Sequence, residues 1–586
     1  MHNHFRRLWF YLKNYKFSFY SALFLKLLSS FLSVLEPFIL GLAITELTNN
    51  LLLMARKEPS ASLNVNYILM ILTLYLLRGM LNELCSFYAN FLMTKTVQGS
   101  IKKLRNDLSQ KLNRLPISYS DRHQFGNLLG RFTSDIETVS NALQQSLLQI
   151  VSAVSTLVFV IVMVIYIDAL LSTIVLGCML LTFLAARIIL KKSQPYFKKQ
   201  ADILGEMNGF VQENLTGFHI IKLYGREKES KKEFRRILND LYDTGFKASF
   251  ISGMMVPVLN TISDITYLLV TLFSGLKVLA GQMTLGNMQA YVQYLWQITQ
   301  PIQNITQLSG VLQSAQSSLE RIFEILDEAE ERDTTTLEFP KEILGEIRFE
   351  QVNFQYSDDK PLIKKFNLMV KPGQMVAIVG PTGAGKTTLI NLLMRFYDVT
   401  SGRILVDGYD ISQISRKKYR REIGMVLQDT WLYEASIMDN LKFGKEDASE
   451  REVVAAAKMA NIDHFIRTLP GGYQMQLNQE SSNVSQGQKQ LLTIARALLA
   501  NPKILILDEA TSSVDTRLEQ HLQRAMAKLM QGRTSFVIAH RLSTIQEADI
   551  ILVLKDGQII EQGNHQSLLK SKGFYSELYY SQFNQN

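Results

Sequence analysis

The chain has 586 residues, 47% of them hydrophobic, and its 62 Lys and Arg against 53 Asp and Glu give a net charge of +9. That length holds several average domains, and the apolar excess is concentrated in residues 1–325. Two cysteines, Cys85 and Cys178, both inside apolar stretches, exclude a disulfide framework, and basic residues that flank apolar stretches argue against nucleic-acid binding.

In chain order, Phe5-Arg-Arg-Leu-Trp-Phe-Tyr-Leu12 suits a short helix lying at a membrane interface. Residues 1–35 imitate a signal peptide, but no small-residue cleavage site follows and further apolar stretches do. Six stretches, at 17–47, 66–94, 146–167, 169–190, 251–276 and 286–308, can each cross a bilayer. The requirement is roughly 30 Å of hydrocarbon at about 1.5 Å per residue. Little more than Asp168 separates the third and fourth, which predicts a tight hairpin outside the membrane. Lys and Arg crowd segments 95–131 and 187–247 and are sparse at 49–65, 168 and 277–285. The positive-inside rule then places both termini and the two long loops in the cytoplasm of a multi-pass protein of the cell membrane.

Polar residues inside the spans suggest a pathway. Gln289, Gln293, Gln297, Gln300, Gln303 and Gln307 recur at steps of three and four and share one helical face. Such a stripe should avoid lipid. It either lines a water-filled cavity, with Gln293, Gln297 and Gln300 at its centre, or serves as interhelical glue. Arg78, Glu83 and Asp264 also lie in spans, with Glu36 nearer the outer end of the first. Arg78 and Glu83 are about 140° apart around a helix and should not pair. Arg78 with Asp264 is the expected inter-helix pair, the alternative being acidic side chains such as Asp264 that recognise a cationic ligand. Lys26 is expected to snorkel to the interface.

Past the polar segment 326–345, chemistry-bearing motifs accumulate. Gly380-Pro381-Thr382-Gly383-Ala384-Gly385-Lys386-Thr387, continued by Thr388, fits G-x-x-x-x-G-K-[ST], a loop that wraps nucleotide phosphates. The apolar run Met375–Val379 predicts a buried strand before it, and Lys386–Phe396 a helix after it. Lys386 would reach the β- and γ-phosphates and Thr387 would bind Mg²⁺. A second strand, Lys503–Leu507, ends in Asp508 and Glu509. Asp508 would hold Mg²⁺ through water, and Glu509 would polarise the attacking water. A third strand, Ser535–Ala539, ends in His540, a candidate γ-phosphate contact.

With Val484-Ser485-Gln486-Gly487-Gln488, Gln428 in Met-Val-Leu-Gln-Asp, Ser512-Ser-Val-Asp515 and Tyr356 in Val-Asn-Phe-Gln-Tyr, the chain resembles the ATP-binding cassette (ABC) family. The resemblance implies an α-helical membrane domain of six transmembrane helices with long cytoplasmic extensions, followed by an α/β P-loop NTPase domain. The expected boundaries are 1–325 for the membrane domain, 326–345 for the linker and 346–586 for the cassette. ATP and Mg²⁺ are the implied cofactors, and ATP hydrolysis coupled to transport is the implied activity. Gln428 would touch Mg²⁺ and the attacking water, Asp515 would belong to the D-loop, and Tyr356 would stack on adenine. ATP would be sandwiched between the phosphate loop of one chain and Ser485, Gly487 and Gln488 of another. Leu115–Asp121 with Gly126–Arg131, and Gln212–Gly217, resemble the two coupling loops, one of which docks on the partner's cassette.

Two departures refine that expectation. Gln486 replaces the usual glycine, and Gln476–Glu480 differs from the usual preceding pattern. The mix resembles one half of a bacterial heterodimeric multidrug exporter whose partner is a second half-transporter, with a homodimer as the alternative. Hydrophobic or amphipathic compounds are the expected cargo. A lipid or peptide exporter and an ATP-gated regulatory membrane protein are the competing readings.

Overall fold

The computed structural model describes residues 2–56, 63–123, 125–331, 333, 337–340, 342–356, 361–427, 430–478, 483–508, 516–539 and 542–583. It divides into two compact units: Met1–Arg114 with Gln124–Ala329, and Leu115–His123 with Glu330–Asn586.

The first unit is helical. Its elements are α1 (His2–Leu12), α2 (Lys16–Ala55) and α3 (Val65–Leu112), then α5 (Phe125–Gly130), α6 (Ile136–Ile167), α7 (Ala169–Thr216) and α8 (Phe218–Leu223). The short α4 (Ile117–Arg122) falls in the second unit. The first unit closes with α9 (Glu227–Gly253), α10 (Met255–Leu279) and α11 (Leu285–Asp327). Helices α3 and α7 have 48 residues each. At about 1.5 Å per residue each runs roughly 70 Å, far beyond the hydrocarbon thickness, so the helices continue outside the membrane.

Among the described residues, five stretches are long and apolar enough to cross a membrane: Arg6–Ala55, Val65–Leu112, Phe125–Ile167, Ala169–Thr216 and Glu227–Leu279. The sixth expected stretch lies in α11, whose glutamines dilute its hydropathy, and it is not among these five. Burial is inverted relative to a water-soluble bundle. Leu76, Phe87, Leu180 and Leu268 are exposed while Ser29, Ser30, Thr96 and Ser100 are buried. A lipid solvent explains both: apolar side chains cost nothing outside, and small hydroxyls turn inward, Thr96 and Ser100 to backbone carbonyls, Ser29 to the Asn82 side chain and Ser30 to Ser152.

Close helix contacts fix this unit. A Cβ on Gly286 would lie 1.8 Å from the Gly41 carbonyl oxygen, so α2 and α11 cross with no room for a side chain. The buried Tyr294 hydroxyl donates to the Val34 carbonyl at 2.8 Å across the same pair. Asp168 caps α7 by accepting from Leu170 N and Leu171 N, each at 3.0 Å, and its other oxygen pairs with Lys277. The hairpin predicted there is thus one residue long, between Ile167 and Ala169.

The expected Arg78–Asp264 pair does not form. Arg78 pairs with Glu36 at 3.0 Å and donates to the Leu32 carbonyl at 2.9 Å, and the Tyr75 hydroxyl donates to Glu36 at 2.8 Å. The reason is neighbourhood: α3 packs along α2, whereas Asp264 sits on α10, which packs on α7 and α11.

The second unit contains two sheets. Strands β1 (Ile347–Gln355), β2 (Pro361–Val370), β4 (Ser401–Val406) and β5 (Tyr409–Asp410) form an antiparallel sheet in the order β2-β1-β4-β5. The other sheet runs β10-β9-β3-β8-β7-β6, with β3 (Met375–Val379), β6 (Ile423–Val426), β7 (Ile504–Asp508), β8 (Thr534–Ile538), β9 (Ile550–Lys555) and β10 (Gln558–Gly563). It is parallel except for β10. The helices are α12 (Lys386–Leu393), α13 (Arg416–Arg421), α14 (Ile437–Lys442), α15 (Glu450–Met459) and α16 (Asp463–Thr468). They continue with α17 (Gln486–Ala500), α18 (Thr516–Met530), α19 (Leu542–Glu547), α20 (His565–Ser571) and α21 (Phe574–Phe583). Strand β7 shows why its sequence is apolar throughout. Ile504 and Ile506 join the core on one face, and Leu505 and Leu507 join the core with α17 and α18 on the other. Residues just before β1 are held by α13: Glu331 accepts from Arg420 at 2.8 Å and Asp333 from the Arg416 amide at 2.9 Å.

Replacing Gly286 by Ala should cost about 1–3 kcal/mol, because Cβ meets backbone rather than a movable side chain. Gly177, with nothing within 4 Å of its Cβ, is the control. Thermal unfolding in detergent should show a clear loss for Gly286→Ala alone. Equal stability of the two variants would contradict the crossing.

Candidate functional site

The geometry of residues 380–388 follows from three glycines and a buried strand. Strand β3 runs buried into Gly380, whose φ of +155° and position 2.3 Å (as Cβ) from the Leu554 carbonyl oxygen exclude a side chain. Gly385, with φ +99°, is the residue before α12 and lets the chain turn straight into the helix. The loop is pinned beneath by Gly557 N donating to the Ala384 carbonyl at 3.2 Å. Pro381, Thr382 and Gly383 stay exposed, Ala384 is buried, and the N-terminal amides of α12 meet the loop with their partial positive charge. Lys386 curls over the loop and donates to the Gly380 and Pro381 carbonyls at 2.7 and 3.0 Å. Burial lowers the Lys386 pKa, and the Asp508 carboxylate acts in the opposite sense. Lysine and aspartate therefore feel one another at the same mouth.

Strand register explains how Asp508 comes there. Ile378 of β3 and Asp508 of β7 both pair with Ile538 of β8. Three strands thus end level at the sheet's carboxyl edge, where open α/β sheets take ligands. Thr387 is exposed at the start of α12 and Asp508 is half-buried at the end of β7. A hydroxyl and a carboxylate beside an anion-binding loop are the oxygen donors that suit Mg²⁺. The expected sites Gln428, Glu509, Asp515 and His540 lie outside the described residues.

Tyr356 follows β1 and is partly exposed. Its hydroxyl donates to Thr388 at 3.2 Å, so the Thr388 side chain is engaged with the tyrosine, one residue past the loop. Phe354 and Tyr397 pack edge-on against the Tyr356 ring at 4.8 and 5.0 Å. The Tyr397 hydroxyl donates to Asp121 of α4 at 2.6 Å, and burial followed by that carboxylate raises the phenol's pKa. Neither Tyr397 nor Asp121 stood out in the sequence. Their one signal was that Asp121 closes a segment resembling a coupling loop.

The Val484–Gln488 segment is a reciprocal helix cap. Ser485 precedes α17; its hydroxyl accepts from Gln488 N at 3.4 Å, and Ser485 N donates to the Gln488 side chain at 2.8 Å. Gly487 is buried. Gln486 occupies the first helical position, where the backbone needs no special φ, and its exposed amide reaches Thr430 at 3.4 Å. The departure at Gln486 is therefore one of side-chain bulk at an exposed helix start.

Of the expected path residues, Gln297 and Gln300 line a cavity of about 590 Å³ among α2, α3, α6 and α11. Gln293 and Asp264 do not line it. Gln293 lies one turn away along α11, and α10, which carries Asp264, contributes nothing to its walls. The side chains of Gln303 and Gln307 lie outside the described residues. Lys26, expected to snorkel, lines the same cavity.

Residues 19–302 match the family described as ABC transporter transmembrane region, and residues 363–512 match ABC transporter. The chain is 46% identical over 487 residues to a fatty acid ABC transporter ATP-binding/permease protein of Mycobacterium bovis, covering 83% of this chain and 77% of that one. It is 40% identical over 579 residues, 99% and 94% of the two chains, to an ABC transporter ATP-binding protein of Bacillus subtilis. An ATP-dependent lipid A-core flippase of Syntrophus aciditrophicus is 33% identical over 521 residues, 88% and 86% of the two chains.

Gly380→Ala should abolish nucleotide binding, since its Cβ collides with the Leu554 carbonyl. Gly383→Ala, at φ +84° but in open space, should cost only the backbone strain of about 1 kcal/mol. Titration with a fluorescent ATP analogue distinguishes them, and equal affinity in both variants would contradict this loop geometry.

Proposed function

This chain belongs to the ABC transporter family, and we propose that it is one half of a dimeric exporter that moves acyl-chain amphiphiles across a membrane. Its cassette uses ATP with Mg²⁺ and couples ATP hydrolysis to transport, and its helical unit is a multi-pass membrane domain. The observation that carries the reading is the β3–loop–α12 turn, an anion cradle with a lysine and an aspartate at its mouth, in a chain that also holds lipid-facing helices.

The roles follow the positions. Loop amides between Gly380 and Thr388, Pro381 having none to donate, and the Lys386 ammonium hold the β- and γ-phosphates. Thr387, Asp508 and Gln428 hold Mg²⁺, which when bound offsets charge on the phosphoryl oxygens. Glu509 polarises the attacking water, His540 meets the γ-phosphate, and Tyr356 stacks on adenine. Ser485, Gly487 and Gln488 close on the phosphate of a second chain, where the N-terminus of α17 supplies further positive potential. Asp515 lies at that junction.

Exposed Phe218, Ile220, Leu223 and Tyr224 on and beside α8 support a second chain, since so apolar a surface outside a span calls for a cover. Gln486, crowding one of the two sandwiches, supports a heterodimer with one weakened site. The relatives' lipid and fatty-acid names narrow the cargo from general multidrug compounds to acyl-chain amphiphiles. Basic residues concentrated at 95–131 and 187–247 support cytoplasmic termini.

Glu509→Gln should bind ATP normally and turn it over at least roughly 100-fold more slowly. Mg²⁺-dependent phosphate release in a membrane-like environment, from the chain alone and with a second half-transporter, is the measurement. Near-normal turnover in the variant would overturn the catalytic assignment. Full Glu509-dependent turnover by the chain alone would favour a homodimer.

A further inference from the structure

The cavity among α2, α3, α6 and α11 combines uncharged polar side chains, a few apolar ones and one cation. Asn90 comes from α3, Gln144 and Gln149 from α6, and Gln297 and Gln300 from α11. Lys26 of α2 is the charged side chain among the described residues that line it, and no Asp or Glu shares the wall.

Two cations inside the same helical unit are treated differently. Arg78 is buried and meets a carboxylate, pairing with Glu36 at 3.0 Å and donating to the Leu32 carbonyl, while its Nε has no partner among the described residues. Lys26 forms no ion pair among the described residues, and its hydrogen bond to the Ser86 hydroxyl, at 3.5 Å, is at the limit of such a bond. Glu83 is the carboxylate whose charge reaches Lys26, yet it accepts from the neighbouring Asn82 amide at 3.1 Å and makes no ion pair with the lysine. The amides around the cavity are partly committed: Gln144 donates to Thr94 at 3.0 Å, and Gln300 donates at 3.2 Å to Asn304, itself a wall residue. The Gln297 side-chain oxygen is buried with no hydrogen-bond partner among the described residues. An ammonium in a membrane unit that makes no ion pair with a described carboxylate, on a cavity wall without Asp or Glu, is a site whose charge is completed by a ligand.

We propose that this cavity binds the anionic oxygen head of an acyl-chain amphiphile, carboxylate or phosphate, with Lys26 as the residue that selects negative charge. The inference rests on the export reading above and adds the charge of the cargo. Lys26 supplies three donors to the head group, and the wall amides add neutral donors that tolerate either geometry. A hydroxyl on the cargo would fill the Gln297 acceptor. The volume suits a head group with several methylenes, and Leu148, Ala153 and Pro301 give the chain an apolar start.

The test uses the full chain in phosphatidylcholine nanodiscs and measures equilibrium binding of oleate, oleoyl lysophosphatidate, oleyl alcohol and oleylamine. Wild type should bind at least one anionic probe roughly tenfold or more tighter than the alcohol, as a charge-assisted contact supplies. Preference for oleate identifies a carboxylate cargo, and preference for lysophosphatidate a phosphate one. Lys26→Gln should lose the anion-to-alcohol ratio, Lys26→Arg should keep it, and Lys26→Glu should shift it towards oleylamine. The ratio is internal to each variant, with elution as a monodisperse peak as the folding check. If Lys26→Gln does not fold, the wild-type ratio and Lys26→Arg still decide. Equal binding of anionic and neutral probes by wild type, or a ratio retained in Lys26→Gln, overturns the inference and leaves the export reading standing. No binding of any acyl probe by a chain that hydrolyses ATP overturns both.

Discussion

The end of β3 is the constraint on which the cassette depends. A phosphate group can be held by backbone amides only if the chain leaves a buried strand and enters a helix with no side chain in the way. Gly380 packs against Leu554 with no space for Cβ, and Gly385 turns into α12 with a left-handed φ. Everything else in that unit is arranged around this edge. β8 and β7 end level with β3, so Asp508 arrives beside Lys386 without a loop having to reach for it. Tyr356 is set by its bond to Thr388 and by the rings of Phe354 and Tyr397. Through Tyr397 and Asp121, the same cluster is joined to α4, a segment inserted between the first and second parts of the membrane chain.

The membrane unit obeys a second constraint, that polar groups must be satisfied without water. Arg78, Glu36 and Tyr75 close on one another, and Tyr294 finds a carbonyl on α2. Gly41 and Gly286 allow α2 and α11 to approach closely enough for that bond. Against this background Lys26 stands out, because Arg78 and Lys277 of the same unit each meet a carboxylate and it does not.

Local features were legible in the sequence. The phosphate loop, the apolar strands before it, before Asp508 and before His540, and the one-residue hairpin at Asp168 each depend on a few adjacent residues. Facing relations between helices were less legible. Helical phase ruled out Arg78 with Glu83, but it carries no information on which helix lies alongside, so Glu36 was missed and Asp264 expected in its place. Phase likewise grouped the glutamines on one face without giving depth, and the cavity begins at Gln297 rather than Gln293. That Lys26 lines the cavity was not legible, because the cavity is closed by helices distant from it in sequence. Gln486 looked like a damaged loop residue; as the first residue of a capped helix, it leaves the Ser485–Gln488 cap intact.

The central claim is that ATP hydrolysis in this cassette drives an acyl-chain amphiphile across the bilayer. Its most direct test is a proteoliposome carrying a fluorescent fatty acid or lysolipid, with leaflet distribution read by an impermeant quencher before and after Mg²⁺ATP is added. The account predicts a redistribution that needs ATP hydrolysis and is absent with ADP. Steady ATP turnover with a leaflet distribution identical in ATP and ADP would contradict it.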